Sequence, residues 1–425
     1  MGRITRQLER AMQRNVACPV IVKTRPDRLP ELADYLISNF KMHGTRIPLF
    51  SMFATVLPVD AIDEIKQLNF VETIYLDREM RIPEISHGLS FVDPVRRSVF
   101  FRLASRFNRL SAKTMWWPTS ESRKIIGGDI AESEGYTGRG VKVAVVDSDS
   151  SPRFQSHVQL RGRVTGKTVI EEASDKNGHG GHVATTAIGS TFVHRLTGLR
   201  ALGVAPKATG IGVKTLRGAI GTGSTSDVIM GIAYAYMWGA DVINLSLGGT
   251  PTEDPTEDPM YDAFERIKDD VVICAAIGNE GPAPGTVSSP GSLPNAIGVG
   301  AIDREGNIAE FSSRGPTPDG RIKPDVVAPG VNIWSGITIE TYLDFISDHI
   351  GDGFAALSGT SMATPHVTGL MALAVELFRK ELPEVKLNTP LALEIIEEYG
   401  EPKDNDYGHG LINWSWFRRY VDEHK

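Results

Sequence analysis

Apolar residues in the longer, C-terminal part of the chain fall into short continuous runs bounded by turn residues. Runs of this length are typical of strands buried on both faces. Helix-like segments separate several of them, notably SDVIMGIAYAYMWG (226–239) and DAFERIKD (262–269). The pattern predicts an α/β fold in which helices cover both faces of a mostly parallel sheet. The runs are VKVAVV (141–146), GIGVKTL (210–216), DVINLSL (241–247), VVICAAI (271–277), AIGVGAI (296–302) and DVVAPG (325–330).

A shorter and different pattern precedes this region, from about Ala17 to Arg81. Strand-like and helix-like segments alternate there in the order β-α-β-α-β, and Pro30 opens the first helix. About 65 residues in this order predict a small α+β domain that is marginally stable alone. The segments are ACPVIVKT (17–24), LPELADYLISNFKM (29–42), LFSMFATVLP (49–58), VDAIDEIKQLN (59–69) and FVETIYLD (70–77).

These patterns divide the chain into four parts. Residues 1–16 form a tail or short charged helix, 17–83 the small domain, 84–113 a basic linker, and 114–425 the α/β domain. The linker segment VRRSVFFRLASRFNRLSAK has six basic residues and no acid. It fits a solvated linker helix, or a helix that docks on an acidic or lipid surface.

Composition excludes some functions. The net charge of −7 and the pI near 5.9 argue against nucleic-acid binding, which requires a basic surface. The sequence has no run of 18 apolar residues that would predict a membrane span. Its basic N-terminus lacks the apolar core of a signal peptide. We therefore expect a cytoplasmic protein or a chain without its leader. Cys18 and Cys274 are interpreted as small apolar residues, not as a disulfide.

Four polar residues stand where an α/β fold places function, at strand ends and helix starts. Asp147 ends VKVAVVD, and His179 begins a glycine-rich helical segment. Asn279 follows VVICAAI, and Ser361 precedes a long apolar helix. An acid, an imidazole, an amide and a hydroxyl are the parts of a serine acyl-transfer site.

Each residue type has a chemical reason to be in such a site. Imidazole takes the proton of the serine hydroxyl near pH 7, and the carboxylate fixes the imidazole tautomer. The backbone N–H of Ser361 and the amide of Asn279 would stabilise the oxyanion of the tetrahedral intermediate. Taken singly, each residue has another interpretation. Asp147 and Asn279 suit turns, Ser361 suits a helix N-cap, and His179 with His182 suits a packed or metal-binding pair.

The chain resembles the subtilisin-like serine proteases, the subtilase family. The resemblance rests on an aspartate block, VAVVDS (143–148), a histidine block, HGGHVA (179–184), an asparagine block, AAIGNEGP (275–282), and a serine block, GTSMATPHV (359–367). It runs from about residue 115 to 420, and the serine block is highly specific. It implies a subtilisin-like three-layer α/β fold, preceded by a small ferredoxin-like propeptide domain.

The resemblance also implies residue roles. Asp147, His179 and Ser361 would be the catalytic triad, and Asn279 the oxyanion donor. Ser246, Leu247 and Gly248 correspond to one backbone edge that pairs with extended substrate; Gly221, Thr222 and Gly223 correspond to the other. Ser288 corresponds loosely to the floor of the primary specificity pocket.

The resemblance implies a peptidase that cleaves polypeptides. It would be made as a self-processing zymogen that its own propeptide inhibits. The propeptide pattern ends near residue 83 and the mature-enzyme pattern begins near 113, so the first cut falls between about 80 and 118. No cofactor is required. Calcium remains possible, but the segment that corresponds to the family's strong calcium loop, STFVHRLTGLRAL (190–202), has no carboxylate. The acidic loop 253–262 suits solvation, or a cation.

Three positions depart from the family pattern. Asp149 stands where glycine is usual, Gly181 where threonine is usual, and Thr185 where glycine is usual. Asp149 is a second carboxylate two residues from Asp147 and could raise the pKa of Asp147. These departures keep open a catalytically weak or inactive subtilase that acts as a binding or regulatory protein. An α/β-hydrolase is disfavoured because the G-x-S-x-G motif is absent, and a metalloenzyme because no third ligand accompanies His179 and His182.

Overall fold

The computed structural model describes residues 2–84, 116–170, 174–194, 198–346, 348–349 and 353–425. The predicted basic linker lies outside the described residues except for Glu84, so its role stays a prediction.

The N-terminal region forms a five-stranded sheet in the order β1-β5-β2-β4-β3. Strand β1 runs parallel to β5, and the other neighbours are antiparallel. A 3₁₀ turn over Pro48–Phe50 takes the start of the predicted middle strand region (49–58), and a further short strand, β3, precedes that region. The elements are β1 Arg3–Ile4, α1 Arg6–Met12, β2 Ala17–Thr24, α2 Leu29–Phe40, β3 Thr45–Ile47, β4 Met52–Pro58, α3 Val59–Ile65, β5 Val71–Leu76 and β6 Glu79–Arg81.

The boundary predicted at residue 16 does not separate a tail from this domain. Strand β1 pairs with β5, and Leu8 of helix α1 is fully buried among the core residues of α2 and α3. A two-residue strand and one buried leucine give too little apolar pattern to be recognised in a basic segment. The N-terminal domain therefore begins at residue 2, and we refer to residues 2–16 as the N-terminal arm.

The C-terminal region contains the remaining elements. Its strands are β7 Trp117–Pro118, β8 Lys142–Asp147, β9 Val164–Thr168, β10 Phe192–Val193, β11 Arg200–Ala201, β12 Thr209–Lys214, β13 Thr222–Ser224, β14 Val242–Leu245, β15 Val272–Ala276, β16 Ile297–Ile302, β17 Val326–Pro329, β18 Ile333–Gly336, β19 Asp348–His349 and β20 Phe354–Leu357. Its helices are α4 Thr119–Ile125, α5 Gly128–Ser133, α6 Pro152–Ser156, α7 His179–Ile188, α8 Thr225–Met237, α9 Pro259–Ile267, α10 Tyr342–Ile346, α11 Thr360–Glu381, α12 Thr389–Tyr399 and α13 Trp414–His424.

Seven strands form one parallel sheet in the order β17-β16-β15-β14-β8-β12-β9. All six predicted apolar runs contribute a strand to it. The strand order changes direction at β8, since β12 lies on one side of it and β14 on the other. Ligand sites of open α/β sheets lie at the carboxyl ends of strands beside such a point.

Helices cover both faces of the sheet, as the sequence predicted. Helices α7 and α11 lie on one face, where they share a core with α12 and α13. Helices α8 and α9 lie on the other face. Cys18 and Cys274 are both buried free thiols. The three-layer α/β arrangement places the starts of α7 and α11 near the carboxyl end of β8.

The N-terminal domain contacts the C-terminal domain through two of its surfaces. One face of its sheet, with Ile21, Met52 and Tyr75, shares a hydrophobic cluster with α8 and α9. Strand β6 pairs with β13 of the C-terminal domain, so the chain leaves the N-terminal domain along the site described next. No helix of the described residues is long and apolar enough to cross a membrane.

Candidate active site

Asp147 and His179 form a buried contact at the end of β8. Asp147 is the last residue of β8, and His179 is the first residue of α7; both are fully buried. The imidazole Nδ1 lies 2.9 Å from Asp147 Oδ1 and 3.0 Å from Oδ2. A carboxylate only accepts hydrogen bonds, so Nδ1 carries the proton. The other ring nitrogen, Nε2, is buried and has no hydrogen-bond partner among the described residues.

The turn before α7 positions the imidazole. Asp175 accepts hydrogen bonds from the backbone N–H groups of Asn177 and Gly178, at 2.9 and 3.0 Å. Asn177 Oδ1 in turn accepts the N–H of His179 at 3.0 Å. The first N–H groups of a helix have no intrahelical partner, and here two side chains supply partners for the turn that leads into α7. The direction of the His179 side chain is thereby fixed against β8.

Ser361 lies at the second position of α11, at the same end of the sheet. It is fully buried, and its Oγ donates to the carbonyl of Ser246 at 3.2 Å. Ser246 Oγ returns a hydrogen bond to the carbonyl of Ser361 at 3.0 Å. In this structure the hydroxyl therefore faces the β14 edge, and a rotation about its χ1 angle would be needed to direct it elsewhere.

The amide of Asn279 is oriented by the residue before Ser361. Thr360 donates to Asn279 Oδ1 from both its backbone N and its Oγ1, each at 2.8 Å. The Nδ2 group is thereby turned away from the helix. Gly278 makes this loop possible because its φ is +110°, and a Cβ there would lie 2.7 Å from Ser313 Oγ. The sequence did not single out Thr360, whose role is visible only in these contacts.

The amide Nδ2 of Asn279 donates to the main-chain carbonyl of Glu84, at 2.7 Å. Glu84 is the first residue of the predicted linker, and residues 85–115 lie outside the described part of the chain. The segment before Glu84 lies extended between two edges of the C-terminal domain. Arg81 exchanges two backbone hydrogen bonds with Gly248, both 2.9 Å long, and the N–H of Ile82 donates to the carbonyl of Gly221 at 3.0 Å.

Four of the six residues predicted to bind substrate contact this segment, namely Gly248, Gly221, Thr222 and Gly223. Thr222 and Gly223 belong to β13 and pair with Arg81 and Met80. Leu247 is fully buried. Ser288 lies behind the cleft, where its Oγ donates to the carbonyl of Ile277 at 3.1 Å. A Cβ added to Gly248 would lie 2.7 Å from Ser288 Oγ, so no side chain fits between Gly248 and Ser288.

The departures from the family pattern form one compact cluster beside α7. Asp149 accepts hydrogen bonds from Ser151 N at 2.7 Å and from Thr338 Oγ1 at 2.6 Å. The same threonine leaves no room for a side chain at Gly181, where a Cβ would lie 2.5 Å from Thr338 Oγ1. Thr185 donates to the carbonyl of Gly336 at 2.8 Å. Asp149, Gly181 and Thr338 thus compensate one another sterically and in hydrogen bonding.

The acid whose pKa rises in this cluster is Asp175. Burial, and next the charge of Asp149, raise the pKa of the Asp175 carboxyl well above its ordinary value. Two carboxyl groups that share a buried site resist being ionised together, which explains the direction. The charge of Asp149 therefore acts on the loop that holds His179.

The two histidines of α7 do not form a metal pair. His179 directs Nδ1 to Asp147, whereas His182 donates from Nε2 to the carbonyls of Ile333 and Ala355, at 3.0 and 3.2 Å. Burial lowers the pKa of His182 to about 3, so the ring is a neutral core residue. No group of three or more potential metal-binding side chains occurs in the described parts of the chain.

Comparisons with known proteins agree with this architecture. The sequence model of the subtilase family matches residues 138–408. Serine protease AprX of Bacillus subtilis (strain 168) is 35% identical over 312 residues, which cover 67% of this chain and 67% of that protein. Subtilisin Savinase of Lederbergia lenta is 38% identical over 285 residues, which cover 67% of this chain and 92% of that protein.

The chain therefore belongs to the subtilase family. It is a subtilisin-type serine endopeptidase, and its substrates are polypeptides. The family match begins at residue 138, so the N-terminal domain lies outside it.

Proposed function

We propose that this endopeptidase is a self-inhibited precursor that processes itself through an acyl-enzyme on Ser361. In this proposal the N-terminal domain is the ferredoxin-like inhibitory propeptide, and residues 79–84 occupy the cleft as a substrate would. The observation that carries it is the hydrogen bond from Asn279 Nδ2 to the Glu84 carbonyl. An amide aimed at a main-chain carbonyl at the end of an extended strand suits an oxyanion donor that holds a peptide bond.

Catalysis would follow from the roles of four residues. Ser361 Oγ rotates from the Ser246 carbonyl towards His179 Nε2, which takes its proton as Oγ attacks the peptide carbonyl carbon. Asp147 stabilises the resulting imidazolium. The backbone N–H of Ser361 and the amide of Asn279 stabilise the oxyanion. Collapse of the intermediate breaks the C–N bond, and His179 gives its proton to the leaving amine. Water then attacks the acyl-enzyme by the same route, which releases the acid and restores Ser361.

The proposal narrows the position of self-cleavage. Asn279 binds the carbonyl of Glu84, so the bond between Glu84 and Ile85 is the candidate within the window of 80–118. Backbone pairing to Gly248 and to Gly221 explains why many sequences would be accepted, because those contacts do not depend on side chains.

Intact mass of freshly purified wild type beside Ser361→Ala tests this proposal. We expect the wild type to give two fragments, the larger starting at Ile85, and the variant to remain at full length. Conversion of both chains would point to a contaminating protease. If neither converts, and the wild type also fails to react with a fluorophosphonate, self-processing is excluded and the inactive alternative gains support.

The contacts around Asp149 weaken the inactive alternative. Its basis was Asp149 and the altered histidine block, yet Asp149 and Gly181 fit together around Thr338. The Asp147–His179 contact is intact beside them.

Catalysis is also proposed to need no bound cofactor. The segment 190–202 has no carboxylate to serve as a calcium ligand. We expect the fluorophosphonate labelling rate to be unchanged by EDTA, and a loss that added calcium restores would contradict this.

A further inference from the structure

The N-terminal arm lies against the acidic loop of the C-terminal domain, PTEDPTEDP (251–259). Arg10 Nη2 lies 3.0 Å from Glu253 Oε1, and Arg6 Nη1 lies 3.4 Å from Glu253 Oε2. Arg3 Nη2 lies 3.1 Å from Glu257 Oε1 and 3.6 Å from Asp254 Oδ2. Three arginines of one domain thus face three acids of the other.

Glu257 is the centre of this contact. Its side chain is only 5% exposed, and its Oε2 accepts the backbone N–H of Arg6 at 3.2 Å. A buried carboxylate is costly unless charged partners and hydrogen bonds surround it. Arg3 and the start of α1 supply these partners, and both belong to the N-terminal domain. Within the described residues, the charged and hydrogen-bonding partners of this carboxylate all belong to the arm.

The remaining contacts are more exposed and depend on charge. The side chains of Arg10 and Glu253 are 66% and 55% exposed. Hydrogen bonding to Arg10, together with its charge, lowers the pKa of Glu253, so this acid is ionised at neutral pH. Exposed pairs are weak singly and are screened by salt. By contrast, the contacts of β6 in the cleft are mostly backbone hydrogen bonds, which salt screens far less.

We propose that Glu253, Asp254 and Glu257 form an anchor site for the arginines of the N-terminal arm, and that this site holds the N-terminal domain over the cleft. The proposal deepens the proposed function, since it rests on that domain being the inhibitor. The anchor lies outside the cleft. It adds a salt-dependent contribution to the free energy that holds the N-terminal domain over the cleft. The ligand class is an arginine-bearing segment, and the arm of the same chain is its occupant.

Hydrogen exchange of the full-length Ser361→Ala chain tests the anchor without any need for self-cleavage. The readout is exchange at the cleft amides, notably Gly248 N and Arg81 N, which exchange when the N-terminal domain lifts away. Glu253→Gln with Glu257→Gln should raise their exchange roughly tenfold at 50 mM salt. The double variant Arg6→Gln with Arg10→Gln removes the charges on the arm side of the contact. It should raise the exchange of the same amides by a similar factor.

A matched control and a salt series make the test decisive. Glu305→Gln removes one charge from an exposed turn after β16 that, within the described residues, makes no ion pair with the arm, and it should leave the exchange of cleft amides unchanged. Raising salt to 500 mM should accelerate exchange in the parent chain and have little further effect on the double variants. If the double variants match Glu305→Gln, or if salt has no effect on the parent, the anchor is excluded. That result would leave self-processing untouched, which the wild-type mass measures separately.

Discussion

The two halves of the proposed active site differ in what completes them. The acid–base half, Asp147 and His179, lies entirely within the C-terminal domain and is already in contact. In the other half, Asn279 donates to the carbonyl of Glu84 from the N-terminal domain, and Ser361 Oγ faces Ser246. Inhibition by the N-terminal domain would thus act on the oxyanion half and leave the acid–base half undisturbed. Activation would then require departure of the cleft segment and rotation of one hydroxyl, with no rebuilding of the imidazole contact.

The largest effect should come from the acid–base half. Asp147→Asn keeps the shape of the side chain, but its amide favours the wrong imidazole tautomer. We expect the rate of fluorophosphonate labelling and of self-conversion to fall on the order of 10⁴-fold. Asp241→Asn, at the opposite end of the sheet, is the control and should change either rate less than about threefold. If Asp147→Asn lowered these rates by less than tenfold, the contact between Asp147 and His179 would not contribute to catalysis.

A smaller loss should follow from breaking the oxyanion half. Asn279→Leu removes the donor and keeps the volume, so kcat should fall about 10²- to 10³-fold with KM little changed. Thr360→Val removes one of the two bonds that orient the amide and keeps the backbone N–H. Kinetics of both variants on a peptide substrate should therefore show a loss below tenfold for Thr360→Val. An equal loss in the two would assign the effect to loop disorder.

The residues beside the acid–base half should affect stability more than catalysis. Asp149→Gly restores the residue usual in the family, but it leaves Ser151 N and Thr338 Oγ1 without their acceptor. We expect a loss of about 1–3 kcal/mol in unfolding free energy, measured by denaturant titration in the Ser361→Ala background. Asp149→Asn, which retains one acceptor, should lose less. A gain in stability for Asp149→Gly would refute the compensation with Thr338.

The smallest effect concerns pH. The pKa of Asp175 is raised in the folded chain, so folding favours its protonated form. Below the ordinary pKa of 3.8 the carboxyl is protonated in both the folded and the unfolded chain, so the raised pKa costs no stability. As pH rises through the raised pKa, the folded state loses stability. Asp175→Asn removes the titration. The stability of this variant relative to the parent should therefore increase with pH, and parallel stability curves would contradict the assignment.

The sequence predicted the parts of the fold that depend on continuous apolar burial. All six apolar runs became strands of the parallel sheet. Asp147 contacts His179, and Asn279 contacts the residue before Ser361, but the catalytic roles assigned to the four residues stay predictions. Strand β9 was missed because it lies at the sheet edge and is mostly half-exposed, so it has no apolar run.

The sequence pattern did not predict contacts that are made by backbone groups or by charged residues far apart in sequence. The Glu84 carbonyl carries no residue-specific signal, since any residue presents the same group. The pairing of the N-terminal arginines with the acidic loop joins segments about 250 residues apart. The compensation among Asp149, Gly181 and Thr338 is likewise visible only once the three lie together.

The sheet face that covers α8 and α9 has a consequence for handling the protein. Ile21, Met52 and Tyr75 are buried against apolar residues of these helices, among them Ile229 and Phe264. Separation of the domains would expose an apolar patch on each, and such patches drive self-association. We therefore expect the uncut chain to remain monodisperse at concentrations where the separated domains aggregate, so light scattering would follow maturation as a loss of solubility.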